Sequence, residues 1–274
     1  MECGYVVKRG RTRWRRFGFD CAVRVAEGLG ANAMRHVERL PLWDQAYAEL
    51  RTAMLGGRFG PGERILLREV AAELGISLTP VRDAVNRLIA EHVLERGSSG
   101  QGGGAVVPRM NVERFDELLT IRCDLEGRAA ARAAERAAPG DLGVLDALLT
   151  EMKALIRQQN LDAYLDLHRR FHFELYALAR MPILEGLIEN IWLRCGPVLT
   201  YVIPDYVLLE KGSDLHTAAL SALRTGDAEA AAAAIRQDIR EAGRYISGLA
   251  DSAGLIEDPA AQRKARLRTA QTAS

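Results

Sequence analysis

The stretch "LLREVAAELGISLTPVRDAVNRLIAEHVLER", Leu66 to Arg96, decides the fold of the N-terminal half. Leu67, Val70, Ala71 and Leu74 recur at helical spacing, and Gly75 suits a left-handed cap at the end of that helix. Ile76, Ser77 and Leu78 make a tight turn. Thr79 is expected as the N-cap of a second helix, with Pro80 at its first position. Val81, Val85, Leu88 and Ile89 form the apolar stripe of this second helix, while Arg82 and Asn86 project elsewhere from its first two turns. Two short helices joined this way make a helix-turn-helix, whose second helix can lie in the major groove of DNA. The same geometry also occurs as a helical hairpin in proteins that never meet DNA. Downstream, "VLERGSSGQGGGAVVP" (residues 93–108) alternates at both ends and predicts a two-stranded wing around a Gly-rich tip. Its glycine run lacks the G-K-[ST] ending of a phosphate-binding loop.

Outward from this segment the chain changes texture twice. Its 274 residues suffice for two domains. Hydrophobic residues make up 48% and charged residues 27%, at a formal net charge of +1, so bulk charge argues neither for nor against nucleic acid. No apolar run approaches the roughly 20 residues needed to cross a bilayer. "KRGRTRWRRF" near the start is followed by no apolar signal segment. The four cysteines are scattered without a C-x-x-C pair, which suits a reducing cytoplasm and offers no thiolate metal site. Residues 1–38 read as a basic, disordered extension, or as an arm that touches phosphates, with Met34 an alternative start. Residues 251–274 read as a basic tail. Between them lie residues 39–109, short helices plus the wing, and residues 110–250, almost continuously helical and rich in Ala and Leu. Breaks near Pro139-Gly140, Asn160, Met181-Pro182, residues 204–212 and Gly226-Asp227 divide the latter into about six helices, an antiparallel all-α bundle.

Within that bundle "LDLHRRFHFEL" (residues 165–175) sets His168 and His172 four residues apart, on one helical face. Taken alone, the pair reads more simply as two ordinary helix side chains. His172 lies nine residues before Met181, His216 nine before Thr225, and Asp238 eleven after Asp227. At about 1.5 Å of rise per residue these distances from one end of the bundle agree within a helical turn. Antiparallel packing would therefore bring all four side chains to one level. The spacing is not H-E-x-x-H, and Arg169 and Arg170 cannot serve as a metalloprotease base.

The residues support a family resemblance. "AELRTAMLGGRFGPGERILLREVAAELGISLTPVRDAVNRLIAEHVLE" (residues 48–95) resembles the winged helix-turn-helix of the GntR family of bacterial transcription regulators, at Gly57, Pro61-Gly62, Ala71, Leu74-Gly75, Ser77, Thr79-Pro80-Val81-Arg82 and Leu88. The resemblance implies that Arg68, Thr79 and Arg82 contact DNA, with Gly104 letting the wing approach the minor groove. Leu78 stands where the family usually has Arg. The bundle is similar to the effector domain of the family's fatty-acid-regulator-like branch. "LLTIRCDLEGRAA" (residues 118–130) places Arg122 and Glu126 in its R-x-x-x-E positions. "HRRFHFELYALARMPIL" (residues 168–184) and "DLHTAALSALRTGDAEAAAAAIRQDI" (residues 214–239) match its later helices. In many members an Asp and three His from these positions hold one divalent metal. Here His168 occupies the usual Asp position and Asp238 the usual final His position, while His172 and His216 match directly, so the set of three imidazoles and one carboxylate is kept with two places exchanged.

The expected protein is mostly α: an N-terminal winged helix-turn-helix followed by an all-α six-helix antiparallel bundle. The expected function is a ligand-responsive, cytoplasmic DNA-binding regulator. It would work as a homodimer on a palindromic operator of double-stranded DNA, with no membrane partner. His168, His172, His216 and Asp238 would hold one divalent metal per subunit, with Zn, Ni, Mn or Fe all compatible. A small carboxylate effector would meet Arg122, whose planar fork suits it, and Asn190, with Tyr164 and Tyr201 as further candidates for the cavity wall. Two other functions remain on the sequence: a DNA-binding dimer with no effector, and a metal-dependent enzyme with a His3Asp centre.

Overall fold

The structure, a computed structural model, describes residues 41–97, 104–202 and 211–259. The expected basic extension and the last residues of the expected tail lie outside them. Helix α1 (Leu42–Leu55) turns Ala46, Tyr47, Leu50 and Met54 inward. Helix α2 (Leu67–Leu74) buries Leu67, Val70 and Ala71 and ends at Gly75, whose φ of 65° is the left-handed cap that the sequence implied. Helix α3 (Leu78–Ala90) buries Val81, Ala84, Val85 and Leu88.

The start of α3 differs from expectation by two residues. Ser77, in extended backbone, is the N-cap, so Thr79 and Pro80 lie inside the first turn. Proline is tolerated there because first-turn N–H groups have no intrahelical partner. The wing gains a strand as well. Besides β2 (Glu95–Arg96) and β3 (Ala105–Val106), the pair β1 (Arg64–Ile65) joins the sheet in the order β1-β3-β2, all antiparallel, with Ile65 opposite Ala105. Gly104 lies immediately before β3, where a Cβ would stand 2.8 Å from the Ile65 carbonyl oxygen. Close backbone approach within the sheet thus accounts for this glycine.

The bundle comprises α4 (Val112–Arg136), α5 (Gly143–Arg157), α6 (Leu161–Ala177), α7 (Pro182–Leu199), α8 (Lys211–Thr225) and α9 (Ala228–Ser247). Its starts carry the chemistry expected of N-caps. The side chains of Asn111, Asn160 and Asp227 accept from the backbone N–H of Arg114, Ala163 and Ala230, and Pro182 opens α7. Small residues on α4 and α9, including Ala130, Ala133, Ala231 and Ala234, are buried where these two long helices pack together. Residues 251–259, grouped with the tail on sequence, return to the start of α4: Ile256 N–H donates to the Met110 carbonyl, and Val112 N–H to that of Gly254.

The winged helix and the bundle, as far as the residues are described, belong to one compact unit. Helix α1 packs on α7. Leu193 of α7 is buried in the winged-helix core, and Gly196 faces backbone: a Cβ there would stand 2.6 Å from the Met54 carbonyl oxygen. Around this contact Arg51 pairs with Glu189, and Arg194 Nη2 donates to the Glu91 carbonyl at 3.0 Å. Gly57, at φ 67°, leaves no room for a Cβ beside Thr200. Gly196→Val is expected to cost about 1–3 kcal/mol through overpacking, seen as a lower melting temperature; an unchanged melt would show that this contact is not tight.

Candidate metal centre and effector cavity

Helix α6 places His168 and His172 on one face, one turn apart, while α8 supplies His216 and α9 supplies Asp238. The four candidate ligand atoms lie within 4.8 Å of one another, and His172, His216 and Asp238 are buried. His172 Nε2 is 3.2 Å from His168 Nε2 and 3.1 Å from His216 Nε2. It is 3.4 Å from Asp238 Oδ2, and His216 Nε2 is 3.8 Å from Oδ1. Ligand nitrogens about 2.1 Å from one tetrahedral ion stand about 3.4 Å apart, so the spacing suits a single cation.

A relay behind His172 sets which nitrogen faces the centre. Glu126, buried and ion-paired with Arg122 through Nε at 2.6 Å, accepts from Tyr176 Oη at 2.6 Å. Tyr176 has one proton to donate, so its oxygen must accept from His172 Nδ1, 2.9 Å away. His172 Nδ1 therefore carries the hydrogen and Nε2 presents a lone pair, as a metal ligand fixed by an outer hydrogen bond does. Burial pushes the Tyr176 hydroxyl well up, and Glu126 adds to the shift, which keeps its proton in place. Burial, followed by His172 and His216, holds His168 well below the usual imidazole range and so uncharged. Burial alone would raise the Asp238 carboxyl; the facing His216 and His172 more than reverse that and hold it well below the carboxylate range.

Beside the centre lies a cavity of about 60 Å³. Arg122, His168 and Asp238 line its polar part, with Tyr164 and Trp192 at its sides. Arg122 carries its guanidinium over the Trp192 ring, 4.6 Å from the centroid; burial opposes its charge most strongly, but Glu126, with Cys195 and Tyr176, more than reverses that and keeps it charged. The Trp192 Nε1–H is buried and has no hydrogen-bond partner among the described residues. Asn190 is half-buried on α7 and does not line this cavity, and neither does Tyr201. The α7 residues that do are Trp192 and Leu199. Sequence reading missed both these and the Tyr176–Glu126 relay, although Tyr176 continues the four-residue spacing of His168 and His172.

On the winged helix, Arg68, Thr79 and Arg82 are exposed, and neither arginine forms an ion pair among the described residues. Arg87 differs: it pairs with Glu91 and Asp44 and lies 3.9 Å from the Tyr47 ring centroid, so its charge is committed internally. Leu78, where the resembled family usually carries Arg, packs against the winged-helix core. The wing tip between Gly97 and Gly104 lies outside the described residues.

Comparisons with known proteins agree with this architecture. The family of bacterial regulatory proteins called gntR matches residues 42–107, and the FCD domain matches residues 117–241. The HTH-type transcriptional regulator McbR of Escherichia coli K12 is 33% identical over 173 residues, 63% of this chain and 76% of McbR. The HTH-type transcriptional repressor RspR of the same organism is 25% identical over 205 residues, 73% of this chain and 87% of RspR. The solved structure of E. coli McbR/YncC superposes with a TM-score of 0.69 at 29% identity, covering 74% of this chain and 95% of that one. No helix among the described residues is long and apolar enough to cross a membrane.

Proposed function

The chain belongs to the GntR family of bacterial regulatory proteins, with an FCD domain, and from that premise we propose a transcription regulator whose affinity for DNA is set by a small carboxylate bound beside a metal ion. Two copies would bind a palindromic operator, each α3 entering one major groove. The observation that carries the sensory half is the meeting of His168, His172, His216 and Asp238 at the wall of a cavity that Arg122 also lines. A divalent ion there would supply a positive centre for a carboxylate. The chain's own contribution is to hold His172 in one tautomer through Tyr176 and to aim Arg122 by its ion pair with Glu126. Elemental analysis of the purified protein, with a thermal-shift screen of small carboxylic acids, tests the reading. Metal-free protein that responds to none of them would contradict it.

A second reading, a DNA-binding dimer without effector, draws on two contacts. Arg122 and Glu126 already satisfy each other, and 3.1 Å between His216 and His172 is also a hydrogen-bond distance. The same elemental analysis separates the two.

For the DNA-binding half, Arg82→Ala should weaken operator binding by roughly 1–3 kcal/mol if the side chain reads a base, measured by fluorescence anisotropy on upstream DNA. Arg87→Ala should change stability instead, since its charge is used within the fold. Equal DNA affinity for wild type and Arg82→Ala would remove Arg82 from the interface.

A further inference from the structure

A second concavity lies on the far side of α9 from the cavity beside the metal centre, whose own walls reach Leu55 and Thr200. It is an open cleft of about 580 Å³ between α4 and α9. On α9, Asp238, Ile239 and Ala242 face the metal-centre cavity, whereas Arg240, Gly243 and Arg244 face the cleft. Successive residues of an α-helix turn by about 100°, so these two sets occupy opposite faces. The floor of the cleft is small or apolar: Cys123 and Gly243 lie there, and a Cβ on Gly243 would overlap Leu119. Side by side, helices of 25 and 20 residues offer a face roughly 30 Å long and 20 Å wide. That is about 600 Å², the same order as the roughly 800 Å² that each partner buries in a standard interface.

Charge is sorted between the two walls. Asp116 and Asp124 stand on α4, Arg240 and Arg244 on α9. All four are exposed, and none is in an ion pair among the described residues. The helices run antiparallel, and two contacts set their register: Ser247 Oγ donates to Asp116 at 3.3 Å, and Arg236 Nε to the Cys123 carbonyl at 3.3 Å. Asp116 is therefore level with Arg244, and Asp124 with Arg240, to within about a helical turn. A face that meets its own copy must be complementary to itself. About a two-fold axis along the cleft, α4 of each copy lies on α9 of the other at the same level, and acid meets base. About an axis across the cleft, α4 lies on α4 and α9 on α9, so like charges meet, at a cost. Charge thus selects the first axis, which also points both α4 helices the same way. Because α4 starts at Val112, directly after the winged helix, both DNA-binding heads then leave from one end. Two half-sites of one palindrome require that.

We propose that the α4–α9 face is the interface with a second copy of this chain, built about a two-fold axis along the cleft, with Asp116 against the partner's Arg244 and Asp124 against the partner's Arg240. This inference rests on the dimer reading above and names the surface that would carry it. Helix α9 then holds Asp238 toward the metal centre on one face and the subunit interface on the other. A competing face exists at the start of α7, where Ile183 is 84% exposed and Leu187 lies one turn further on. An apolar pair on one helix sets no axis, and the test below separates the two faces.

The test is sedimentation velocity of the full chain, for wild type, Asp124→Arg, Arg240→Asp and an equimolar mixture of those two variants, with circular dichroism to show that each is folded. Alone, each variant sets like charges together twice in a symmetric dimer and should raise the dimer dissociation constant at least about tenfold. In the mixture both contacts again join opposite charges, so affinity should return to within about threefold of wild type. Asp116→Arg and Arg244→Asp repeat the test at the other pair should a first variant fail to fold. A mixture as weak as its components would mean that the charges act within one chain, and would overturn the inference. So would a wild-type dimer that the reversals leave intact and Ile183→Asp dissociates, an outcome that keeps the dimer reading and moves its surface to α7. Wild type that stays monomeric at every concentration would overturn the dimer reading and the inference together.

Discussion

His172→Ala should remove the metal response of the protein altogether. In wild type, metal at about a hundred times its dissociation constant should stabilise the fold by roughly 2.7 kcal/mol, or roughly 5–10 °C in melting temperature for a chain of this size. The variant should melt at one temperature with or without metal. His172 is the member of the set whose Nε2 approaches the other two imidazoles and the Asp238 carboxylate, so its loss separates the remaining three. The comparison is internal to each protein, which removes the separate cost of emptying a buried site. A metal-dependent shift in His172→Ala equal to that of wild type would place the binding site elsewhere.

Tyr176→Phe should be nearly as informative, because it touches no metal ligand atom. Removing the hydroxyl leaves His172 Nδ1–H without its acceptor and Glu126 without one donor, both buried. Two unsatisfied buried groups cost about 1–3 kcal/mol each in fold stability. Loss of an outer hydrogen bond to a ligating imidazole typically lowers metal affinity about 10–100-fold. Competition against a chelator of known affinity measures the second effect separately from the first. Unchanged metal affinity in a destabilised Tyr176→Phe would reduce the relay to a packing role.

Much of this arrangement could be read from the chain, for local reasons. Asn111, Asn160, Asp227, Gly75 and Pro182 each act within a turn of their own position, so helix ends were legible. The level of His172, His216 and Asp238 followed from their distance to the breaks, since a helix converts sequence distance into height. Features made by pairing distant segments were not legible. Strand β1 is two residues long and has no alternation to detect. The Tyr176–Glu126 bond joins residues 50 apart on different helices. Two residues of α-helix turn a side chain by about 200°, which is why Trp192 lines the cavity and Asn190 does not. Leu55 as a cavity wall depends on how two separately cored pieces dock, and nothing in the local pattern of α1 signals it.

The joint between those pieces has mechanical consequences. Leu193 enters the winged-helix core like a ball in a socket, and beside it Gly196 lays bare backbone against the Met54 carbonyl. At Gly196 no side chain interlocks the two helices, so the contact there is backbone on backbone. Three stops against rotation of the DNA-binding head ring this joint: the Arg51–Glu189 pair, the bond from Arg194 to the Glu91 carbonyl, and Gly57 against Thr200. Of these three stops only the last is built from a cavity residue. Gly57 follows α1 closely, so anything that moved Thr200 would press on the end of the helix that packs on α3.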